Sequence, residues 1–478
     1  MPRHGNWTRR AFLERAGLLG TVTSALPWAL QLAAMGDAAA FSATDYKALV
    51  CVFMAGGNDS ANTIVPFDLV NYDQYHRIRG GGSGRSAGGV ALGHSDLGAT
   101  VLTPKSPRPD GLQFALHPRM AQLRNVFDQG HASILFNVGP LVVPTTRTQY
   151  QQGSVPLPPK LFSHNDQQSI WQSESAEGST IGWGGRIADM ALASNSKAHF
   201  TCISAMGNAV FLAGQQAAQY QITPNGAIPL LAFKYGTFFN IAVRDQIRAM
   251  LGQTRVDPFE ADYLRTINRA IDYESEIEAA LSGNFLNTPF PPGSAQSLGA
   301  QLQIVARLIK ARQALGVKRQ VFFVQRGGFD LHSSLASQQP NQLQDVSDAL
   351  AAFYAATVEL GVAQSVTAFT ASDFGRTLTY NGDGTDHGWG GHHFVVGGAL
   401  NGGKFLGTPP PISVGDTTAP DDQWHVGQGR WLPTTSLAQF GGSLARWFGA
   451  TEDEALSIFP NLINFGGDGY PKDLGMFS

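Results

Sequence analysis

Four short segments bring aspartate, histidine and glycine together: Gly56-Gly57-Asn58-Asp59-Ser60, Gly327-Gly328-Phe329-Asp330-Leu331-His332, Ala371-Ser372-Asp373-Phe374-Gly375-Arg376 and Gly384-Thr385-Asp386-His387-Gly388. His392 and His393 lie just beyond the last. Carboxylate and imidazole are the ligand types for divalent zinc, manganese or iron. Asp330 and His332 flank a single residue, so in an extended segment both fall on one side and can share a ligand. Arg376 offers a planar donor suited to a phosphate or a carboxylate. Each residue also has a plainer use. Asp59 can cap a helix, Asp330 and His332 can belong to a hydrogen-bonded turn, and Asp373 can cap or pair with Arg376. His387 beside Asp386 in a glycine-rich loop is harder to explain by packing, and the recurrence of such groups after apolar runs argues for one site.

Those runs are the elements that must position the site. Residues 48–54, 133–138, 320–324 and 365–370 read as buried strands. Between them, 258–280, 300–315 and 342–360 carry helical periodicity, clearest where Val346, Leu350, Phe353, Tyr354 and Val358 recur on one face. Strand and helix alternate, which predicts an α/β fold: a doubly wound, mostly parallel sheet with helices on both faces and loop insertions. Ligands bind outside the carboxyl edges of such sheets, so residues far apart in the chain can meet there. Residues 80–110, 281–298 and 407–430 read as loops, and 200–240, with the run Ala209-Val210-Phe211-Leu212, as a small subdomain or cap.

Composition narrows the class. Hydrophobic residues make up 43% and charged residues only 14%, which favours a large buried core. A net charge of -3 provides no basic field, so nucleic acid is not an expected partner. Cys51 sits inside an apolar run, and both it and Cys202 read as buried free thiols. At the start of the chain, Arg9-Arg10 precedes an apolar stretch over 16–35 and the small residues Ala38-Ala39-Ala40. This order marks 1–40 as a twin-arginine signal and leaves 41–478 as the folded domain, exported to the periplasm or beyond with the twin-arginine translocase as a transient partner. Pro27 and Gln31 break the apolar stretch, so no stable membrane span is expected after cleavage.

The four segments, followed by Gly397-Gly398 and Gly402-Gly403, resemble in that order the DUF1501 family of twin-arginine-exported proteins, over nearly the whole chain after residue 40. That family looks like a branch of the alkaline phosphatase and sulfatase superfamily. The resemblance implies an alkaline phosphatase-like sheet and a site for one or two divalent metals, zinc first, with manganese, iron or calcium as alternatives. It makes Asp59 the aspartate after the first strand, Asp330 and His332 ligands of one metal, Asp373 the aspartate of the other, and His387 the late histidine. Phe374 departs from the pattern, because phosphatases commonly place a histidine there. The missing ligand is then absent or comes from His164, His392 or His393. A nucleophile is expected at a helix start after the second strand, where Ser163, Thr145 and Thr146 are the candidates and Ser163 also reads as a plain cap. The activity implied is metal-assisted hydrolysis of a small anionic phosphate or sulfate ester, with Arg376 clamping the anion. The alternative is a periplasmic or surface binding protein on a catalytically altered scaffold.

Overall fold

Alternate side chains of Lys47–Met54 enter two different cores. Ala48, Val50, Val52 and Met54 pack into one, and Leu49, Cys51 and Phe53 into the other, so this strand is covered on both faces. The computed structural model describes residues 43–229, 241–294, 296–467 and 469–477; the signal expected at 1–40 lies outside them. The main sheet has ten strands. In chain order they are β1 (Lys47–Met54), β2 (Ala132–Gly139), β3 (Cys202–Ser204), β4 (Gln219–Thr223), β5 (Gly226–Ala227), β6 (Arg319–Arg326), β7 (Val366–Ser372), β8 (Gly391–Gly397), β9 (Lys404–Leu406) and β10 (Thr435–Ser436). Their spatial order is β9-β2-β8-β7-β1-β6-β3-β4-β5, with β10 beside β2. Only β8 and β5 run against the rest.

The helices that matter here are α1 (Ser60–Thr63), α2 (His164–Ser173), α3 (Trp183–Ala191), α4 (Pro258–Leu281), α5 (Leu298–Lys310), α6 (Leu335–Glu359) and α7 (Leu437–Phe448). Leu302 and Val305 of α5 and Val346, Leu350 and Phe353 of α6 fill the first core. Trp183 and Ile187 of α3 and Phe440 and Leu444 of α7 fill the second. Helices therefore cover both faces, and the sheet is doubly wound and mostly parallel. α5 starts where the Ser297 side chain accepts the Ala300 N–H, and α4 where Asp257 caps Phe259 and Glu260.

The site depends on strand register. Met54 lies opposite both Arg326 and Ser372, so β1, β6 and β7 end level with one another. Their following loops then share one edge. Gly56, with φ +115, lets two of these loops touch, because a Cβ there would stand 2.3 Å from the Asp330 backbone nitrogen.

Two expectations change. Within 200–240, the described residues form no separate cap: β3, β4 and β5 extend the main sheet past β6, and Val210–Leu212 is a single 3-10 turn with Phe211 and Leu212 buried. The apolar run there reflects burial against the sheet rather than a strand of its own. His392 and His393, taken from the sequence as site candidates, instead lie on β8 inside the sheet. Burial pushes both down to about 3, keeping them neutral. Cys51 and Cys202 are buried and free. No helix among the described residues is long and apolar enough to cross a membrane.

One acid away from the strand ends should make its own contribution to pH-dependent stability. Glu174 closes α2 beside Pro140, Ile170 and Leu437, and burial pushes its carboxyl up to about 7 against the pull of Asn461 and Arg186. As pH rises above the unfolded-state value, the unfolded chain releases this proton first. The contribution of Glu174 to stability is therefore complete below about pH 4.5 and falls until about pH 7, by on the order of 1–2 kcal/mol after allowance for partial exposure. In urea unfolding the stability of the parent relative to Glu174→Gln should fall by that amount between pH 5 and pH 8, the opposing titration of the buried His392 and His393 being common to both proteins.

Candidate metal centre

Asp330 is the hub. It follows β6, and Arg376 fixes it from the hairpin Arg376–Tyr380/Thr385–His387, with Nη1 donating to Oδ1 at 2.8 Å. Burial alone would raise its pKa. The Arg376 hydrogen bond and charge, with His164 and His332 nearby, outweigh that and hold the carboxyl below its ordinary value.

Three imidazoles converge on this carboxylate. His164 Nε2 lies 3.4 Å from Oδ2, while His332 Nε2 and His387 Nε2 lie 3.1 and 3.4 Å from Oδ1. The two latter nitrogens are 2.9 Å apart. Ligand atoms of His164, Asp330 and His387 all fall within 4.8 Å of one another. Each ring is held through its other nitrogen. His164 Nδ1 bonds Asp373 Oδ2 at 2.7 Å, His387 Nδ1 bonds the Phe162 carbonyl oxygen at 2.8 Å, and His332 Nδ1 lies 3.3 Å from Asp386 Oδ1.

These outer bonds determine what the inner nitrogens present. A carbonyl only accepts, so His387 Nδ1 carries the proton and Nε2 presents a lone pair. Asp373 accepts from the Gly56 N–H at 3.1 Å and from Gln168 Nε2 at 2.7 Å, and it takes the His164 Nδ1 proton as well. His164 Nε2 is then a buried acceptor with no hydrogen-bond partner, facing a carboxylate. Two imidazole lone pairs and an anionic oxygen repel one another in so small a space, and a cation among them, or a proton on His332 Nε2 beside His387 and Asp330, relieves that repulsion. Neutral histidines oriented by a carboxylate or a carbonyl are the arrangement that zinc and related divalent ions require, so the residues fit a metal. The Asp373 bond also holds His164 above its ordinary pKa, while burial holds His387 below its own.

The structure redistributes the residues singled out in the sequence. It brings Asp330, His332 and His387 together and adds His164 where Phe374 left a ligand unaccounted for. Phe374 packs between His164 and His387, with ring centroids 4.8 and 4.6 Å away, and Gly57 (φ +79) makes room for it. Asp373, expected as a ligand, is fully buried and occupied with positioning His164. Asp59, also expected as a ligand, is consumed elsewhere. Its Oδ1 caps α1 through the Asn62 N–H, and its Oδ2 pairs with Arg79 at 2.7 Å. With both carboxylates diverted, the described residues hold one such cluster rather than two. Arg376 was expected to clamp substrate. Its Nε and Nη2 donate to Thr385 and its Nη1 to Gly56 O and Asp330, so every nitrogen is engaged within the protein and the side chain is buried.

The candidate nucleophiles are likewise committed. The Ser163 hydroxyl donates to Asp166 Oδ2 at 2.9 Å, Thr146 caps Arg147–Gln152 in a reciprocal box with Gln149, and Thr145 donates to the Val143 carbonyl. Reasoning from the sequence missed Gln168 and Phe162, which act on the site through one hydrogen bond each. No sequence motif marks either of them.

The fold and site define a class: a doubly wound α/β protein with a cluster of histidines and a carboxylate, of a kind that could hold a metal ion, at the carboxyl ends of its central strands. The family model described as a protein of unknown function, DUF1501, matches residues 46–426, and the chain belongs to that family. No curated protein matches it. Among solved structures it is similar to the PsFucS1 sulfatase from Pseudoalteromonas sp., at 8% identity and TM-score 0.34, covering 85% of this chain and 68% of that one. It is also similar to Ps i-CgsB in complex with k-i-k-neocarrahexaose, at 8% identity and TM-score 0.33, covering 88% and 76%. A mutant of alkaline phosphatase PafA matches at 11% identity and TM-score 0.29, covering 70% and 64%.

Proposed function

We propose that this protein is an exported, metal-dependent hydrolase of phosphate or sulfate esters, working with a single divalent ion, zinc being the best fit. The observation that carries this reading is the convergence of His164 Nε2 and His387 Nε2 on Asp330, each ring held from behind by an acceptor on its Nδ1 that turns Nε2 towards the carboxylate. His164, Asp330 and His387 would hold the ion, and three protein ligands leave a position for a substrate oxygen. Bound there, a divalent ion supplies Lewis acidity to the ester and lowers the pKa of a water. The twin-arginine signal read at 1–40 supports export of the folded, loaded protein.

The remaining steps fall to side chains. Asp330 keeps its negative charge through Arg376 and so balances the cation. Asp373 and the Phe162 carbonyl hold two imidazoles in the required tautomer, so no reorganisation is needed when substrate arrives. His332 is the most exposed of the three rings, at 47%, and Asp386 backs its Nδ1. It is placed to hold a proton and pass it to the departing oxygen. The hydroxyls of Ser163, Thr145 and Thr146 are each hydrogen-bonded within the protein, which favours water as the attacking group.

Elemental analysis of the full chain, followed by a panel of phosphate and sulfate esters, tests the reading. The expected result is stoichiometric metal together with turnover that chelation abolishes. His332→Gln should keep its metal while kcat falls about a hundredfold, the range typical of a lost general acid. The same committed hydroxyls favour a second reading, a binding protein on this scaffold. Stoichiometric metal with no turnover on any ester selects it, and protein without metal ends both.

A further inference from the structure

We propose that Arg430 recognises the tetrahedral oxyanion of the substrate, an assignment that rests on the ester-hydrolase reading. An anion approaching Asp330 and Asp386 needs a cationic donor as well as a metal, and Arg376 is wholly buried and tied at all three nitrogens to Thr385, Gly56 and Asp330. Arg430 is not. It is partly exposed, and its Nε donates to the carbonyl oxygen of His387 at 2.8 Å. Its two terminal nitrogens make no hydrogen bond or ion pair among the described residues.

The placement of this guanidinium is built from both sides. Its carbon lies 5.1 Å from the ring centroid of Phe162, and the Phe162 carbonyl is the group that orients the His387 ring. Phe162 adopts φ +73, a left-handed conformation uncommon for a bulky residue, so the surrounding structure holds this floor in place. Arg430 follows three residues with positive φ, Gly427, Gln428 and Gly429, in a turn closed by the Arg430 N–H on Gly427 O at 2.9 Å. The arginine is thus tied to the same two residues that fix one candidate ligand, with its fork of donors unspent. Such a fork matches two oxygens of a phosphate or sulfate group, and stacking on an aromatic ring limits the freedom lost when they bind.

The test is calorimetric titration of inorganic phosphate, and separately of sulfate, into the metal-loaded full chain. Parent, Arg430→Gln and Arg430→Lys are compared, with metal content and thermal midpoint recorded for each. Arg430→Gln should weaken binding of the preferred anion at least about tenfold with metal content unchanged. Arg430→Lys should fall between, since it keeps the charge and loses the fork. In turnover, KM for the ester should rise more than kcat falls. Unchanged anion affinity in Arg430→Gln overturns the assignment, and so does failure of the loaded parent to bind either anion. Loss of metal from Arg430→Gln overturns it too, because the arginine would then be positioning His387. An anion bound through Arg430 with no ester turned over removes the hydrolase reading and leaves this one standing.

Discussion

Asp330→Ala should purify without stoichiometric metal and should hydrolyse esters at least about a thousandfold more slowly than the parent. The substitution removes the anionic member of the cradle, leaving Arg376 and three imidazoles with no carboxylate between them. A bound cation would then face neutral nitrogens beside a buried guanidinium. The several kcal/mol that Lewis acidity contributes to a transition state would be lost with the ion, and each 1.36 kcal/mol is a factor of ten in rate. Asp373→Asn should be milder. It keeps the shape around His164 but weakens the bond that sets its tautomer, and losses at such outer positions are typically about 10–100-fold in metal affinity. Competition with a chelator of known affinity measures both variants. Full metal retention in Asp330→Ala would show that the cradle is not where the ion sits.

Asp59→Ala should destabilise the fold by about 3–5 kcal/mol while leaving metal content per folded molecule unchanged. The family resemblance implied the reverse, a ligand role. Asp59 and Arg79 form an ion pair with side-chain exposures of 2% and 0%, and Arg79 also donates to the Leu378 carbonyl at 3.1 Å. Removing the carboxylate strands a buried guanidinium and also takes the cap from α1. Equilibrium urea unfolding reads the loss. Adding Arg79→Met to Asp59→Ala should recover much of it, because the uncompensated charge goes too. A variant of unaltered stability that has shed its metal would return Asp59 to the ligand set.

How much of this was legible depended on the reach of each signal. β1, β2, β6 and β7 could be read because each is a run of apolar residues bounded by polar ones, and burial on both faces imprints that pattern locally. β8 could not. It opens with Gly391-His392-His393, and two histidines ahead of Phe394 resemble a loop carrying ligands. Only its position between β7 and β2, antiparallel to both, explains why those rings are buried and neutral. β3, β4 and β5 escaped notice for another reason: strands of two to five residues at a sheet edge carry too short a period to register.

From its residue order alone this chain determined that apolar strands alternate with amphipathic helices, and that acids and imidazoles cluster where those strands stop. The tertiary structure alone decided which of them meet in one cluster. Asp59, Asp330 and Asp373 are equivalent in the sequence, each an aspartate in a loop after a strand. In the fold the first pairs with Arg79, the second stands at the centre of the cradle and the third holds His164 from behind. The reason is geometric. Hydrophobic periodicity is set by neighbours a few residues away, whereas a carboxylate's partners are set within about an ångström by segments from twenty to some two hundred residues distant, and that precision exists only after the strands have paired in register.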